Sequence, residues 1–314
     1  MTLPLVRIGS RASRLAQTQA RQVQAAIAAT LGVAAGEVDA ILPITFLSTA
    51  GDRIQDRRLL EIGGKGLFTE EIEAALKDGR IDCAVHSLKD VPAERKPGLV
   101  IAATPEREDV RDAFLSVRHA RFEDLPQGAR LGAASLRRQA QSLHVRPDLQ
   151  PVLMRGNVDT RLAKLERGEA DAIILAYAGL RRLGLQDHVR HLFDPIERPP
   201  APGQGALAIE TRAEDAGAAW ARALDHAPTA LCIAAERGAL EALEGSCRTA
   251  MGAHAALDQG AMELVVEALS PDGRERIRRQ ERLEAPDRAG AEALGRRLGL
   301  QIQAEGGDRL LLKL

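Results

Sequence analysis

The chain has 314 residues, 45% of them hydrophobic, which is enough to bury a large core and to form two or three domains. Its formal net charge is −1 and it holds only 5 Phe, 1 Tyr and 1 Trp, so neither a global positive field nor a set of stacking rings is available to bind nucleic acid. Three cysteines make no disulfide framework and the 7 histidines show no ligand-like spacing, so we expect a reduced, cytoplasmic protein without a metal.

The N-terminal sequence MTLPLVRIGSRASRLAQ reaches a charged residue at Arg7 and has no long apolar core. No later stretch approaches the roughly eighteen uninterrupted apolar residues that a membrane span needs. We therefore expect neither a signal peptide nor a membrane anchor.

Short apolar strands alternate with amphipathic helices over the first two thirds of the chain. The segments LVRIGS, ILPITFLS and IDCAVHS have the composition of strands. Between them, a helix is predicted from about Ser13, and a second over GLFTEEIEAALKDG, ending at Gly79. This β-α-β-α-β order predicts a mostly parallel sheet with helices on both faces.

The same pattern restarts after TPEREDVRDAF. ARLGAAS is predicted as a strand leading into the helix SLRRQAQSLHV, and VDTRLAKLERGE as a helix between Asn157, a candidate N-cap, and Gly168. ADAIILA has the pattern of a buried strand and is followed by the short helix AGLRRLGL. RPPAPGQGALAIE is expected to return to the first lobe as a strand, so two similar α/β lobes are predicted.

The character of the sequence changes at about residue 223. The helix PTALCIAAERGALEAL ends in the loop EGSCRTAMG, antiparallel strands with a PDG turn follow, and APDRAGAEALGRRLGL is a final helix. We expect three domains: a discontinuous N-terminal lobe of 1–104 plus 205–222, a second lobe of 105–204, and a small α+β domain of 223–314.

Basic and hydroxyl side chains collect where predicted strands lead into helices, which is where ligands bind in open α/β sheets. They are Arg11, Ser13, Ser87, Lys89, Ser135, Arg137, Arg138, Arg155, Arg161 and Arg182. One such arginine is more often a solvated surface group. Several at successive strand ends predict a cleft for a ligand with several carboxylates or phosphates, because a guanidinium binds a carboxylate in bidentate fashion.

Asp90 is the acidic residue among these bases. It could simply form an ion pair with Lys89 or a nearby arginine, which its spacing alone favours. Alternatively it is a carboxylate kept ionised by surrounding cations, able to stabilise positive charge that develops in a ligand. The glycine-rich GGKGLF does not match a phosphate loop, because the upstream glycine and the Ser or Thr after the lysine are missing. It could still offer Lys65 to an anion.

The three cysteines differ in setting. Cys83 in an apolar strand and Cys232 on an apolar helix face are expected to be core residues. Cys247 lies in a loop beside Arg248, so it is either inert or an accessible nucleophile or attachment point.

Taken together, these stretches resemble the porphobilinogen deaminase family over almost the whole chain. The matching runs are RIGSRAS, GGKGLFTEEIE, AVHSLKDVP, EREDVRDAF, SLRRQAQ, RPDL, RGNVDTRLAKL, DAIILAYAGLRRLGL, PAPGQGA and LEGSC, in the family's order and at its spacings. The resemblance implies two lobes of the type II solute-binding-protein kind, with mixed, mostly parallel sheets, and a small C-terminal α+β domain with a cysteine loop. It also implies a cytoplasmic, monomeric transferase of porphyrin and heme biosynthesis.

The resemblance assigns roles to single residues. Cys247 is expected to hold a dipyrromethane cofactor covalently through a thioether, and Asp90 to be the catalytic carboxylate that stabilises the cationic azafulvene formed when porphobilinogen loses ammonia. Four porphobilinogen units would be joined head to tail and released by hydrolysis as the linear tetrapyrrole hydroxymethylbilane. The expected cofactor-binding residues are Ser13, Lys89, Ser135, Arg137, Arg138 and Arg155, and the expected substrate-binding residues are Arg11, Arg155, Arg161, Arg182 and Lys65.

The chain departs from the family's pattern at Glu61, Ala133, Ala134, Ser246, Arg248 and Thr249. These changes put individual polar contacts in doubt and leave the aspartate, the cysteine and the arginines in place. Two other classes fit less well. A two-lobed binding protein for an anionic solute would share the fold but would need export and would give Cys247 no task. An RNA-binding protein conflicts with the charge and the few aromatic residues.

Overall fold

The computed structural model describes residues 5–53, 66–94, 96–243 and 249–311. They divide into two compact units. The first takes in the described residues up to 108 together with 205–230, and the second takes in 109–204 and 231–311. The predicted three-way division, with its boundaries at 104, 204 and 222, stays a prediction. No helix in these ranges is both long and apolar enough to cross a membrane.

Strands and helices are numbered in chain order. The first unit contains β1 (Ile8–Arg11), α1 (Arg14–Leu31), α2 (Val38–Ile41), β2 (Ile44–Leu47), α3 (Ala50–Arg53), α4 (Glu70–Lys77), β3 (Cys83–Ser87), β4 (Leu99–Ala103), β10 (Leu207–Arg212) and α8 (Ala219–Ala223).

The second unit contains β5 (Asp112–Leu115), β6 (Arg130–Ala133), α5 (Leu136–Val145), β7 (Gln150–Leu153), α6 (Val158–Glu166), β8 (Ala172–Ala176), α7 (Tyr177–Arg182), β9 (His191–Leu192), most of α9 (Ala227–Ala242), β11 (Ala250–Asp258), β12 (Ala261–Leu269), β13 (Arg276–Glu284) and α10 (Arg288–Gly306). Single 3₁₀ turns occur at Ala35–Glu37, Leu88–Asp90, Gln186–His188, Ala213–Asp215 and Gly307–Leu310.

The described strands of the first unit form one sheet in the order β2-β1-β3-β10-β4. β1 pairs in parallel with β2 and β3, while β10 runs antiparallel between β3 and β4. Four of the five strands therefore point the same way. α1 packs an apolar stripe that includes Val23 and Ile27 on this sheet, and the core continues through Ile8 and Val85. The N-cap of α1 is Ser13, whose hydroxyl accepts a hydrogen bond from the Ala16 amide.

The second unit repeats this strand order as β7-β6-β8-β5-β9, again with one antiparallel strand, β5, in the fourth place. A three-stranded antiparallel sheet, β11-β12-β13, forms a separate layer packed against α9 and α10. The turn between β12 and β13 is the predicted PDG, where Gly273 adopts φ +74°. The predicted fold class is confirmed: two mixed, mostly parallel α/β sheets and a small C-terminal α+β part.

Most predicted elements are present within a few residues of their expected bounds, including the return strand, which is β10. The prediction did not include β4, β5, β7 or β9. β5 overlaps the stretch VRDAF and was missed because the strand has only four residues and starts with aspartate, a residue depleted in strands. Asp112 is tolerated there because two arginines neutralise it.

Candidate functional site

In the first unit, the predicted basic and acidic residues meet at one edge of the sheet. Arg11 is the last residue of β1, and the 3₁₀ turn Leu88–Asp90 directly follows β3. Since β1 and β3 are parallel neighbours, their carboxyl ends are adjacent, and Arg11 Nη1 lies 3.8 Å from Asp90 Oδ2. Both side chains are partly exposed, at 22% and 34%, so both can meet a ligand.

Arg11 is held by two groups that sequence reasoning did not single out. Its guanidinium forms an ion pair with Asp52 and lies over the ring of Phe68, 4.2 Å from the centroid. Burial by itself would raise the pKa of Asp52, but hydrogen bonds from Arg11 and Thr49 lower it. In the sequence, only their positions could have indicated these two residues: Asp52 precedes the glycine-rich GGKGLF, and Phe68 is its last residue.

The hydroxyl and lysine residues predicted beside Arg11 take different positions. Ser13 caps α1 with one lone pair, accepting from the Ala16 amide at 3.4 Å, and a capping hydroxyl keeps its O–H to donate. Lys89 is exposed on the turn that also carries Asp90. Ser87, just before that turn, exchanges hydrogen bonds with the buried Gln19 on α1.

In the second unit, the strand ends lead into capped helices. Ser135 follows β6 and accepts from the Arg138 amide at 3.4 Å, and Asn157 follows β7 and accepts from the Thr160 amide at 2.9 Å. The prediction of Asn157 as an N-cap is confirmed. Gly156 has φ +114°, and an added Cβ would meet the Thr160 side chain at 2.7 Å, so the turn after β7 requires glycine.

Three further predicted arginines belong to the same unit. Arg155, two residues after the end of β7, is only 8% exposed. Arg161, on the first turn of α6, donates from Nε to the Gly156 carbonyl at 2.9 Å. Arg182 is the last residue of α7 and is half-buried. Because β6, β7 and β8 are parallel neighbours, Arg155 and Ser135 follow strands that end at the same edge of the sheet.

Arg137 and Arg138 are buried and bound to a carboxylate that the sequence analysis did not single out. Asp112 Oδ2 accepts from Arg137 Nη1 at 2.7 Å, and Oδ1 accepts from Arg138 Nη2 at 2.8 Å. Burial would raise the pKa of Asp112, yet attraction to both guanidiniums holds it well below its usual range. Gln204 Nε2 donates a further hydrogen bond to Asp112 Oδ1 at 2.9 Å. In the sequence, Asp112 and Gln204 were indicated only by lying in the family-like runs VRDAF and PGQGA.

Several predicted residues lie outside the described ranges, namely Glu61, Lys65, Ser246, Cys247 and Arg248. The other two cysteines, Cys83 and Cys232, are buried core residues, as predicted. Burial raises the pKa of the Cys83 thiol, which makes it a poor nucleophile.

Two family models match the chain. Residues 6–219 match the porphobilinogen deaminase dipyrromethane cofactor-binding domain, and residues 230–304 match the porphobilinogen deaminase C-terminal domain. The strand ends described above fall inside the first of these matches.

Curated proteins resemble the chain over nearly its full length. It is 63% identical over 316 residues to a porphobilinogen deaminase of Caulobacter vibrioides strain NA1000 / CB15N, covering 98% of each chain. It is 62% identical over 318 residues to a porphobilinogen deaminase of Phenylobacterium zucineum, covering 99% of each. Among solved structures, a methionine-bound nutrient-binding protein of Burkholderia cenocepacia matches 70% of this chain and 90% of its own, with 16% identity and a TM-score of 0.43. Because that score is low, the match supports no statement about the present chain.

Proposed function

The chain belongs to the porphobilinogen deaminase family, and we propose that it performs that family's reaction with Asp90 as the catalytic carboxylate and Cys247 as the covalent anchor of dipyrromethane. The reaction joins four porphobilinogen units with loss of ammonia and releases hydroxymethylbilane. The observation that carries the assignment of Asp90 is its partly exposed side chain at the carboxyl ends of β1 and β3, 3.8 Å from Arg11.

The residues present fit dipyrromethane, whose two pyrroles each bear an acetate and a propionate. Within the part of the chain that the structure describes, the buried carboxylates of Asp112 and Glu267 pair with Arg137, Arg138 and Arg276, and the buried Arg198 guanidinium lies near both. This buried group therefore holds more guanidiniums than carboxylates. Among the described residues, the buried Nε of Arg137 has no hydrogen-bond acceptor. Such a region favours an anionic ligand.

Each residue at the strand ends has a task that its chemistry supports. When bound, dipyrromethane supplies the free pyrrole position at which chain growth starts. Asp90 accepts hydrogen bonds from pyrrole N–H groups and stabilises the cation that substrate becomes on losing ammonia. Arg11, 3.8 Å from Asp90, places a positive charge beside that carboxylate.

The other basic and hydroxyl residues would serve the cofactor, the substrate or both. The carboxylates of the cofactor would be held by Ser13, Lys89, Ser135, Arg137, Arg138 and Arg155, and those of the substrate by Arg11, Arg155, Arg161, Arg182 and Lys65. Bidentate pairing of guanidiniums with these carboxylates would orient the reactants, and orientation lowers a barrier.

The anchor is tested by the intact mass of the purified protein beside a Cys247→Ser variant. We expect the parent to be heavier than its sequence by two deaminated porphobilinogen units and the variant to have the bare mass. A matched Cys232→Ser variant, at a buried core thiol, should keep the added mass.

The same measurement separates the alternatives. If the parent has the bare mass, it is incubated with porphobilinogen, and an apo-enzyme then gains the two units. A parent that gains nothing overturns the proposal in favour of a solute-binding protein. An added mass that persists in Cys247→Ser moves the anchor elsewhere.

A cytoplasmic, monomeric enzyme completes the proposal. Three cysteines, two of which are buried and form no disulfide, suit a reducing compartment. Light scattering behind a sizing column should give a mass near 33.7 kDa, and a value near twice that would contradict the monomer.

A further inference from the structure

A series of buried polar groups runs through the second unit, beginning at the arginine pair on the first turn of α5. Arg137 Nη1 donates to Asp112 Oδ2 at 2.7 Å and also to Gln141 Oε1 at 2.9 Å. Arg138 donates from Nε and Nη2 to Asp112 Oδ1, at 3.1 and 2.8 Å. The Asp112 carboxylate therefore fixes the orientation of both guanidiniums. The Gln141 amide, one helical turn further along α5, restrains Arg137 a second time.

The series continues into the C-terminal sheet. Gln141 Nε2 donates to Glu267 Oε1 on β12 at 2.7 Å and to the Pro199 carbonyl at 2.9 Å. Glu267 Oε2 accepts in turn from Arg276 Nε on β13 at 2.8 Å. The orientation of Arg137 is thus linked, through one side chain, to a carboxylate on a different sheet.

These links are protected from water. Asp112 and Glu267 are each 1% exposed, and Gln141 is 4% exposed. At such burial a hydrogen bond is electrostatically stronger than in water, and an unpaired charge is costly, so the groups hold one another in a single arrangement.

The backbone of α5 is fixed against the same C-terminal part. Gly273, in the turn after β12, lies so close to α5 that an added Cβ would meet the Ala140 carbonyl oxygen and the His144 amide nitrogen, each at 2.6 Å. His144 Nδ1 lies 2.8 Å from the Gly273 carbonyl oxygen. The helix that carries the arginine pair therefore cannot shift without displacing this turn.

We propose that Asp112 and Glu267 are positioning residues for cofactor binding: Asp112 directly, and Glu267 through Gln141, align the Arg137 and Arg138 guanidiniums with the cofactor carboxylates. This rests on the proposed function, because it takes that arginine pair as cofactor ligands. The C-terminal sheet then takes part in loading the cofactor.

The test measures how fast apo-protein, prepared from a host that makes no porphobilinogen, gains the mass of two deaminated units on incubation with porphobilinogen. Asp112→Asn removes the charge and keeps the shape. Gln141→Leu cuts the link between Arg137 and Glu267 and changes no charge. All variants are assayed at one temperature, well below the lowest of their melting temperatures, so that lost stability alone does not change the rate.

The matched control is Asp171→Asn. Asp171 pairs with Arg130 in the same unit, but it precedes β8 and its partner begins β6, which places the pair at the opposite edge of the sheet. We expect Asp112→Asn and Gln141→Leu to load at least about tenfold more slowly than the parent, the cost of misplaced binding groups, and Asp171→Asn to load at the parent's rate.

Parent-like loading in both Asp112→Asn and Gln141→Leu overturns the positioning role. If Asp112→Asn does not fold, Gln141→Leu decides alone, since it retains every ion pair. A parent that gains no mass overturns the proposed function itself and the positioning role with it.

Discussion

Two aspartates beside arginines differ chiefly in exposure, and exposure separates their tasks. The Asp90 side chain is 34% exposed at the end of a strand, so a ligand can reach it. Asp112 is buried under two guanidiniums and can act only through them. In the sequence both are simply acidic residues in basic surroundings, because spacing along the chain does not show which side chain is covered.

For Asp90, we expect Asp90→Asn to lower turnover by at least about 100-fold, because the amide keeps the shape but cannot offset a developing positive charge. The melting temperature should change little, since the side chain is partly exposed. Single-turnover product formation measures the effect, with Asp187→Asn, on the 3₁₀ turn Gln186–His188, as a control. Near-normal product formation by Asp90→Asn would remove it from the mechanism.

For Arg155, we expect Arg155→Ala to slow elongation or cofactor assembly by about 10- to 100-fold, because a ligand carboxylate loses a charged hydrogen-bond partner. Arg167→Ala removes an exposed arginine that pairs with Glu169 and should leave both rates unchanged. Intact-mass measurement of the enzyme-bound chain lengths after mixing with porphobilinogen distinguishes a stalled step from slow loading. Equal rates for both variants would place the cleft elsewhere.

At the scale of elements, strand-to-helix turns bring the binding groups to the sheet edges. Local chemistry predicts these turns well: Asn157 caps α6 as predicted, and α1 begins next to Ser13, where a helix start was predicted, because a helix start needs only a short polar side chain before an amphipathic run. It does not predict β5 or β9, which are short and depend on pairing with residues distant in sequence.

The cap on α6 can be tested locally. We expect Asn157→Ala to increase amide exchange in the first turn of α6 about fivefold, since losing a cap costs about 1 kcal/mol. Asn157→Asp should preserve protection, because its carboxylate also accepts from the Thr160 amide. Peptides covering α5, capped separately by Ser135, serve as the internal reference. Unchanged exchange in Asn157→Ala would show that packing, not the cap, holds this turn.

At the scale of the whole molecule, the two five-stranded sheets have the same topology. In each, one antiparallel strand, β10 or β5, lies between two strands that are distant from it in sequence. β10 joins the first sheet after the chain has formed the strands of the second, so the first unit is completed by a segment about a hundred residues downstream of β4. Sequence order alone could suggest this return, but only pairing identifies its place between β3 and β4.

Carboxylates paired with arginines make the whole fold sensitive to acid. Burial would raise the pKa values of Asp52, Asp82 and Asp112, but neighbouring arginines hold all three below the usual range. A carboxyl whose pKa is lowered by folding stabilises the protein at pH values above its unfolded pKa, about 3.9, and this contribution is lost as the pH falls through the folded pKa. We expect the melting temperature to fall by more than about 5 °C between pH 5 and pH 2.5. Calorimetry across this range checks it, and a flat profile would contradict the ion-pair account.

The sequence by itself determined the alternation of strands and helices, the Asn157 cap of α6, the core cysteines and the family, because all of these depend on residue type and local spacing. Only the tertiary structure decided that Arg137 and Arg138 share Asp112, that Arg11 lies between Asp52 and Asp90, and that Gln141 joins α5 to the C-terminal sheet. Those contacts join residues up to 126 positions apart in the chain. Burial and strand pairing create them, and no local pattern encodes either.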